Sequence, residues 1–246
     1  MDRTTFTTIA HRDHRLCVPL ASSRADRLLA SLDLAPGARV LDVGCGKGEL
    51  LVRLAERHAA RGLGVDLNPG FLADGRGQAA ARTPPGAVVL LERDAHALEE
   101  PASSFDAAIC VGSTHALGGY RSTLLALQRL VRRSGRVLVG EGYWKQPPAA
   151  AYLEVLGGTA DEFEDHDGNA AAGVALGLRP ILAEASSLEE WDDYEIRYAE
   201  SIERHARERG DDPEAIEMLD HVRRWHRAYR TWGRDTLGFG CYVFEV

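Results

Sequence analysis

The sequence predicts an α/β fold built on a largely parallel sheet, and three observations carry that reading. Short apolar runs alternate with amphipathic helical segments, the pattern of right-handed strand–helix–strand crossovers. One of these runs, from Val40 to Val43, opens directly into a glycine turn and then a helix. The polar residues that punctuate the strands also fall at one edge: Gly44–Gly48, Asp66, Asp94, Val111–His115 and Glu141–Trp144. Ligands of open parallel sheets sit beyond that edge, at the carboxyl ends of the strands.

The elements follow in order. Residues 1–19 show no clear periodicity, and the run His11-Arg-Asp-His-Arg15 reads by default as a solvated terminal arm, or else as a cover over a site. An amphipathic helix follows, with Leu28, Leu29, Leu32 and Leu34, and ends near Pro36-Gly37. The first strand is Ala38–Val43; a helix runs from the glycine turn to about Ala60. The second strand is Gly62–Asp66, and Asn68-Pro69 is a helix start, with Asn as cap and Pro at the first helical position. That helix reaches about Arg82, before Pro84-Pro85. The third strand is Ala87–Glu92 and the fourth Phe105–Val111. A helix over Tyr120–Arg132 buries Leu124, Leu127, Leu130 and Val131, and the fifth strand is Arg136–Gly140. Two helical segments after Pro147-Pro148 lead to a sixth strand, Arg179–Ala185. Residues 188–234 read as a helical hairpin broken at Gly210-Asp-Asp-Pro213. Leu237–Val246 closes the chain as a core strand.

Composition narrows the class. The 246 residues suit one domain, 1–246, with an N-terminal arm and the 188–234 insertion, and 45% hydrophobic content is that of a soluble globular protein. No apolar run spans a membrane and no signal-like segment opens the chain. A net charge of −8 argues against a broad nucleic-acid footprint. Cys17, Cys45, Cys110 and Cys241 are scattered with no C-x-x-C pair. They read as structural thiols in a reducing cytoplasm, with no metal site expected. Oligomeric state, monomer or homodimer, stays open.

The glycine turn is Gly44-x-Gly46-x-Gly48, followed by Glu49. A dinucleotide fingerprint has a third glycine opening the helix, and an acid there suits a pyrophosphate poorly. Asp66, about twenty residues on, is placed to accept hydrogen bonds from ribose hydroxyls, or alternatively to cap the next helix. Asp94 beside the Ala95 N–H can read an adenine edge, or serve only as a loop acid.

Val40–Leu50, Gly64–Asp66, Asp94-Ala95, Phe105–Cys110 and Ser134–Val139 together resemble the ordered motifs of class I S-adenosylmethionine-dependent methyltransferases, across roughly residues 25–145. The resemblance implies a Rossmann-like seven-stranded sheet with the last strand antiparallel, and S-adenosyl-L-methionine as cofactor. It places Asp42, Gly44, Cys45, Gly46 and Gly48 along the methionine moiety, Asp66 at the ribose and Asp94 and Ala95 at the adenine, with Leu67 and Val111 in the same site. His14-Arg15, Cys110–Thr114, Gly118-Gly119, Gly140–Trp144 and Trp191–Tyr194 are similar to the uncharacterised YjhP-like branch of bacterial methyltransferases, which more often has Pro in place of Gly142.

Methyl transfer needs orientation, and a base helps when the acceptor is a hydroxyl or ammonium. His115 and Glu141, after the fourth and fifth strands, are the candidates for facing the methyl group. Tyr143 and Trp144 are candidates for an aromatic wall, His14 and Arg15 for a cover, and Trp191 for a substrate contact. Tyr194, Tyr198, Trp225 and Trp232 read as packing. The expected function is methyl transfer to the O or N atom of a small molecule under the 188–234 cap. A macromolecular acceptor, or a cofactor-binding homologue without turnover, is the alternative.

Overall fold

A computed structural model describes residues 2–246. Its strands are β1 (Arg39–Val43), β2 (Arg61–Asp66), β3 (Val88–Glu92), β4 (Phe105–Val111), β5 (Val131–Trp144), β6 (Arg179–Ala185) and β7 (Leu237–Glu245). They form one sheet in the order β3-β2-β1-β4-β5-β7-β6. β1–β5 pair in parallel, and β7 runs antiparallel to both β5 and β6. This is the sheet the motifs imply.

Strand alternation divides the core into two layers. Val40, Ile109, Leu138 and Val243 face one way, onto α2 (Ser22–Ala30) and α3 (Glu49–His58) through Leu28, Leu51 and Leu54. Leu41, Val43, Ala108, Val139 and Phe244 face the other way, onto Leu124, Leu127 and Leu130 of α5 (Tyr120–Leu130). Asp42 alternates onto the first face at the carboxyl end of β1, so an acid lies buried where the sheet meets the glycine turn.

Two expectations are corrected. The chain leaves α5 at Leu130, before Arg132, and β5 is far longer than Arg136–Gly140. Val131 already pairs with Phe105, and β7 offers β5 a partner at every position from Arg136 to Trp144. Pairing with a strand distant in sequence overrides local helical periodicity. The N-terminal arm is likewise no solvated tail. Arg3–Ala10 forms α1, whose first turn is capped by the Asp2 carboxylate accepting from Thr5 N at 2.7 Å. Phe6 and Ala10 of α1 pack against Ala199, Ile202, Met218 and Val222.

Those partners belong to α8 (Leu188–Arg209) and α9 (Pro213–Ala228), the hairpin inserted between β6 and β7. A Ser187/Glu190 capping box starts α8, and Asp212 with Pro213 starts α9. Glu190 also binds Arg24 of α2 at 2.9 Å, which fastens the hairpin to the sheet's first layer. Two shorter helices, α6 (Ala150–Leu156) and α7 (His166–Ala175), precede β6. Among the described residues, no helix is long and apolar enough to cross a membrane.

Candidate active site

Gly44, Gly46 and Gly48 all have positive φ (67°, 54° and 66°), a conformation that favours glycine. At Gly44 the requirement is also steric, because a Cβ there would run into Ser113 of the loop after β4. The resulting turn bends over the ends of β1 and β4. Asp66 braces it, accepting from Gly46 N through Oδ2 and from Asn68 N through Oδ1, both at 2.8 Å. Glu49 is not a free charge at this turn. It is buried and bound by Arg53 at 2.7 Å and Arg82 at 2.6 Å.

A cavity of about 570 Å3 opens under the turn. Asp42, Gly44, Cys45, Gly46, Asp66, Leu67, Val111 and His115 line it, with Asn68, Phe71, Gly112 and Ser113 and, from the arm, His11, Cys17 and Val18. Asp42 is 1% exposed, and its Oδ2 has no hydrogen-bond partner. Burial, and then the nearby Asp66 charge, raises its proton affinity well above the usual carboxylate range. Leu67 is 65% exposed at the same wall. An orphaned acid at one end and an uncovered apolar side chain beyond it fit a ligand with an ammonium group and a flat nucleoside.

Gly48 lies behind the cavity wall as the N-cap of α3. Asp94 and Ala95 are also outside the lining: Asp94 caps the short turn Ala95–Ala97 by accepting from His96 N at 2.9 Å, and Ala95 is buried in the second core layer.

A second, smaller cavity of about 220 Å3 adjoins the first, and Cys17, Val18, Gly112 and Tyr194 line both. Its walls are aromatic: Tyr152, Phe163, Trp191, Tyr194, Trp225, Tyr229 and Phe239. Two acids border it. Glu141, at the end of β5, accepts from Thr114 Oγ1 and from Gly142 N, the latter at 2.9 Å, and burial raises its pKa. Glu195, on α8, is 2% exposed and accepts from Trp225 Nε1 at 2.9 Å. Burial pushes Glu195 up to about 8.

The predicted site residues therefore separate. Trp191 lines the aromatic chamber. Glu141 borders it, whereas His115 is exposed on the wall of the larger cavity. Tyr143 and Trp144 line neither cavity. Trp144 is buried against Tyr152 and Ala228 and donates Nε1–H to Ala160 O at 2.9 Å. Tyr143 lies on the opposite face of β5, against His166 with ring centres 5.2 Å apart. His14 lines an outer groove and bonds Tyr194 O at 3.1 Å.

The arm is pinned over both cavities. Lys47, inside the glycine turn, donates to the carbonyl oxygens of His11 (3.0 Å) and Arg12 (3.2 Å), at the C-terminal end of α1. His11 Nδ1–H donates to Thr7 O at 2.9 Å, so its Nε2 accepts from the Tyr194 hydroxyl at 3.0 Å. Burial lowers His11 to about 4, which keeps the ring neutral for that role.

Sequence reasoning missed Glu195, Trp225 and Tyr229 as chamber residues. The usable signal was Glu195 itself, which sits one helical turn from Trp191, inside the aromatic stripe of α8.

Known proteins resemble this arrangement. Residues 40–135 match the family described as a methyltransferase domain. A SAM-dependent methyltransferase from Geobacter sulfurreducens, solved in complex with S-adenosyl-L-homocysteine, superimposes with a TM-score of 0.91 at 28% identity, over 99% of this chain and 98% of that one. The chain is a class I S-adenosylmethionine-dependent methyltransferase. The methyltransferase is also 29% identical over 245 residues to the uncharacterized protein YjhP of Escherichia coli K12, covering 99% of this chain and 98% of that protein. It is 26% identical over 205 residues to the 27-O-demethylrifamycin SV methyltransferase of Amycolatopsis mediterranei, covering 82% of this chain and 65% of that protein.

Proposed function

We propose that the enzyme methylates a small molecule held in the aromatic chamber beneath α8 and α9. The observation that carries this reading is the contact between the two cavities. They share Cys17, Val18, Gly112 and Tyr194, so an acceptor in the chamber lies beside a ligand in the larger cavity. The chamber's 220 Å3 is below the roughly 300–1,000 Å3 of sites for drug-sized ligands, which suits a small metabolite.

In this reading Asp42 faces the methionine ammonium, the Gly44–Gly48 turn lies along the amino-acid end, and Asp66 and Leu67 meet the ribose. Asp94 and Ala95 meet the adenine from outside the present cavity lining. S-adenosylmethionine, when bound, supplies a methyl group on a sulfonium, whose sulfur leaves with the electron pair of the broken bond. The residues of this chain bind, orient and exclude water. Glu141, held by Thr114 and Gly142 and raised by burial, lines the acceptor's side of the chamber and orients it. His115 lines the larger cavity, which favours a role beside the cofactor over one as base. The free thiols of Cys17, Cys45, Cys110 and Cys241 suit a cytoplasmic enzyme.

The test is incubation with methyl-labelled S-adenosylmethionine and separate small-metabolite, protein and nucleic-acid fractions of a bacterial extract. Label is expected in the small-metabolite fraction, and is expected to disappear in Trp225→Ala. Label confined to either macromolecular fraction would overturn the reading.

A further inference from the structure

The lining of the aromatic chamber has an unbalanced charge. It contains two carboxyl groups, Glu141 and Glu195, and no Arg, Lys or His. Glu141 is satisfied by two neighbours from its own sheet edge. Glu195 has one bond, from Trp225 Nε1, and no ion pair among the described residues, although its side chain is almost wholly removed from solvent. A carboxylate in that position lacks a counter-charge, and burying one unpaired is costly. Trp191 and Tyr229 stack at 6.1 Å within the same wall, and Trp191 meets Tyr194 edge-on at 6.2 Å. Aromatic faces beside an acid form a surface that attracts cations, and they offer nothing to an anion.

We infer that the methyl acceptor is a small amine, whose cationic nitrogen is held in the chamber by Glu195 and the surrounding aromatic faces. The inference rests on the reading of the chamber as the acceptor site. An arriving ammonium supplies the counter-charge that the lining lacks. Before reaction the ammonium gives one proton to the Glu195 carboxylate, and this frees the nitrogen lone pair. The nitrogen then forms a bond to the methyl carbon as the carbon–sulfur bond breaks and its electron pair stays on sulfur. The positive charge passes from the sulfonium to the methylated nitrogen. Burial raises the proton affinity of Glu195 in the empty chamber, so its proton leaves to solvent as the ammonium enters, and the carboxylate so formed is basic enough to take a proton from that ammonium near neutral pH. Carboxylate- and phosphate-bearing acceptors are disfavoured, because no cation in the lining offsets their desolvation.

The test is calorimetry on the enzyme saturated with S-adenosylhomocysteine, using phenethylamine, 2-phenylethanol and phenylacetate as probes of matched shape. Phenethylamine is expected to bind roughly tenfold more tightly than the alcohol, a difference of one decade in Kd, and phenylacetate is expected not to bind. Glu195→Gln keeps an acceptor for Trp225 and should bring the amine level with the alcohol, with S-adenosylhomocysteine affinity unchanged. The inference is overturned if the alcohol or the acid binds wild type as tightly as the amine, or if the amine preference survives in Glu195→Gln. The reading of the chamber as an acceptor site survives either of those results. Absence of binding by all three probes at millimolar concentration, with normal S-adenosylhomocysteine binding, overturns both.

Discussion

At the residue scale a buried acid stands at each cavity, Asp42 at the larger and Glu195 at the smaller, and each was legible to a different degree. Asp42 was placed by the family resemblance, two residues ahead of Gly44. Glu195 was hidden, because an acid on a charged helix is ordinarily solvated. Only the fold shows that its side of α8 faces α9 and the sheet. Its titration gives a testable sign. The folded pKa is about 8, above that of an unfolded glutamate near 4.3, so the folded state binds the proton more tightly. Stability from this group is present below the unfolded value and is lost as pH rises through 8. Thermal unfolding of the apoprotein should therefore show wild type losing stability relative to Glu195→Gln between pH 6 and 8.5, with the difference levelling above. His11 carries the opposite sign. Its folded pKa of about 4 lies below the unfolded value, so stability is gained as pH rises from 4 towards 6.5. Subtracting Phe or Gln variants at position 11 should flatten that acid limb. Asp66→Ala removes two backbone contacts to the glycine turn as well as the proposed ribose contact. Calorimetry should show S-adenosylhomocysteine affinity falling by more than about tenfold, roughly 1.4 kcal/mol, with the circular dichroism spectrum retained.

At the scale of elements, the strand–helix alternation was readable because apolar period and turn residues agree from Ala38 to Val111. Where they failed, a distant partner decided. The long β5 exists because β7 lies along it, and nothing between Val131 and Trp144 announces this locally. α1 was missed because its apolar stripe is short, and its stability comes from Ile202 and Val222 some two hundred residues away. The misplacement of Tyr143 and Trp144 has a similar origin. Both follow a strand end in sequence, but β5 continues through them, so alternation turns Tyr143 onto His166 on one face and packs Trp144 behind the chamber wall, against Tyr152 and Ala228, on the other. Lys47 is the element-scale test. Its ammonium joins the glycine turn to the end of α1, so Lys47→Met should release the arm. Hydrogen exchange is expected to rise in residues 3–18 while the protection of β1 and β4 stays unchanged. Equal exchange in both regions would place the effect in the sheet instead.

At the scale of the whole molecule, the order of strands sets where chemistry can occur. β1 and β4 are neighbours in the sheet's interior, and the loops that follow them line the larger cavity with Gly44, Cys45, Gly46, Gly112 and Ser113. β7 brings Phe239 beside Gly142 and Leu237 beside Trp144, and the hairpin preceding β7 adds Trp191, Glu195 and Trp225 to the smaller one. The cofactor half was legible as a set of strand-end motifs. The chamber proposed for the acceptor was not, because its walls come from the arm, β5, α6, α8, α9 and β7, which meet only in three dimensions. Since a ligand of the native state shifts unfolding by mass action, S-adenosylhomocysteine at a hundred times its Kd should stabilise the protein by about 2.7 kcal/mol. For a chain of this size that corresponds to a rise of roughly 5–10 °C in Tm, measurable by scanning fluorimetry.

The segment around Cys17 and Val18 walls both cavities, so under the proposed reading cofactor and acceptor press on one shared stretch of the arm. A ligand in either cavity that favours one arrangement of that stretch then changes the affinity of the other by a factor that is the same in both directions. Measuring the affinity of an acceptor probe with and without S-adenosylhomocysteine reads that factor directly.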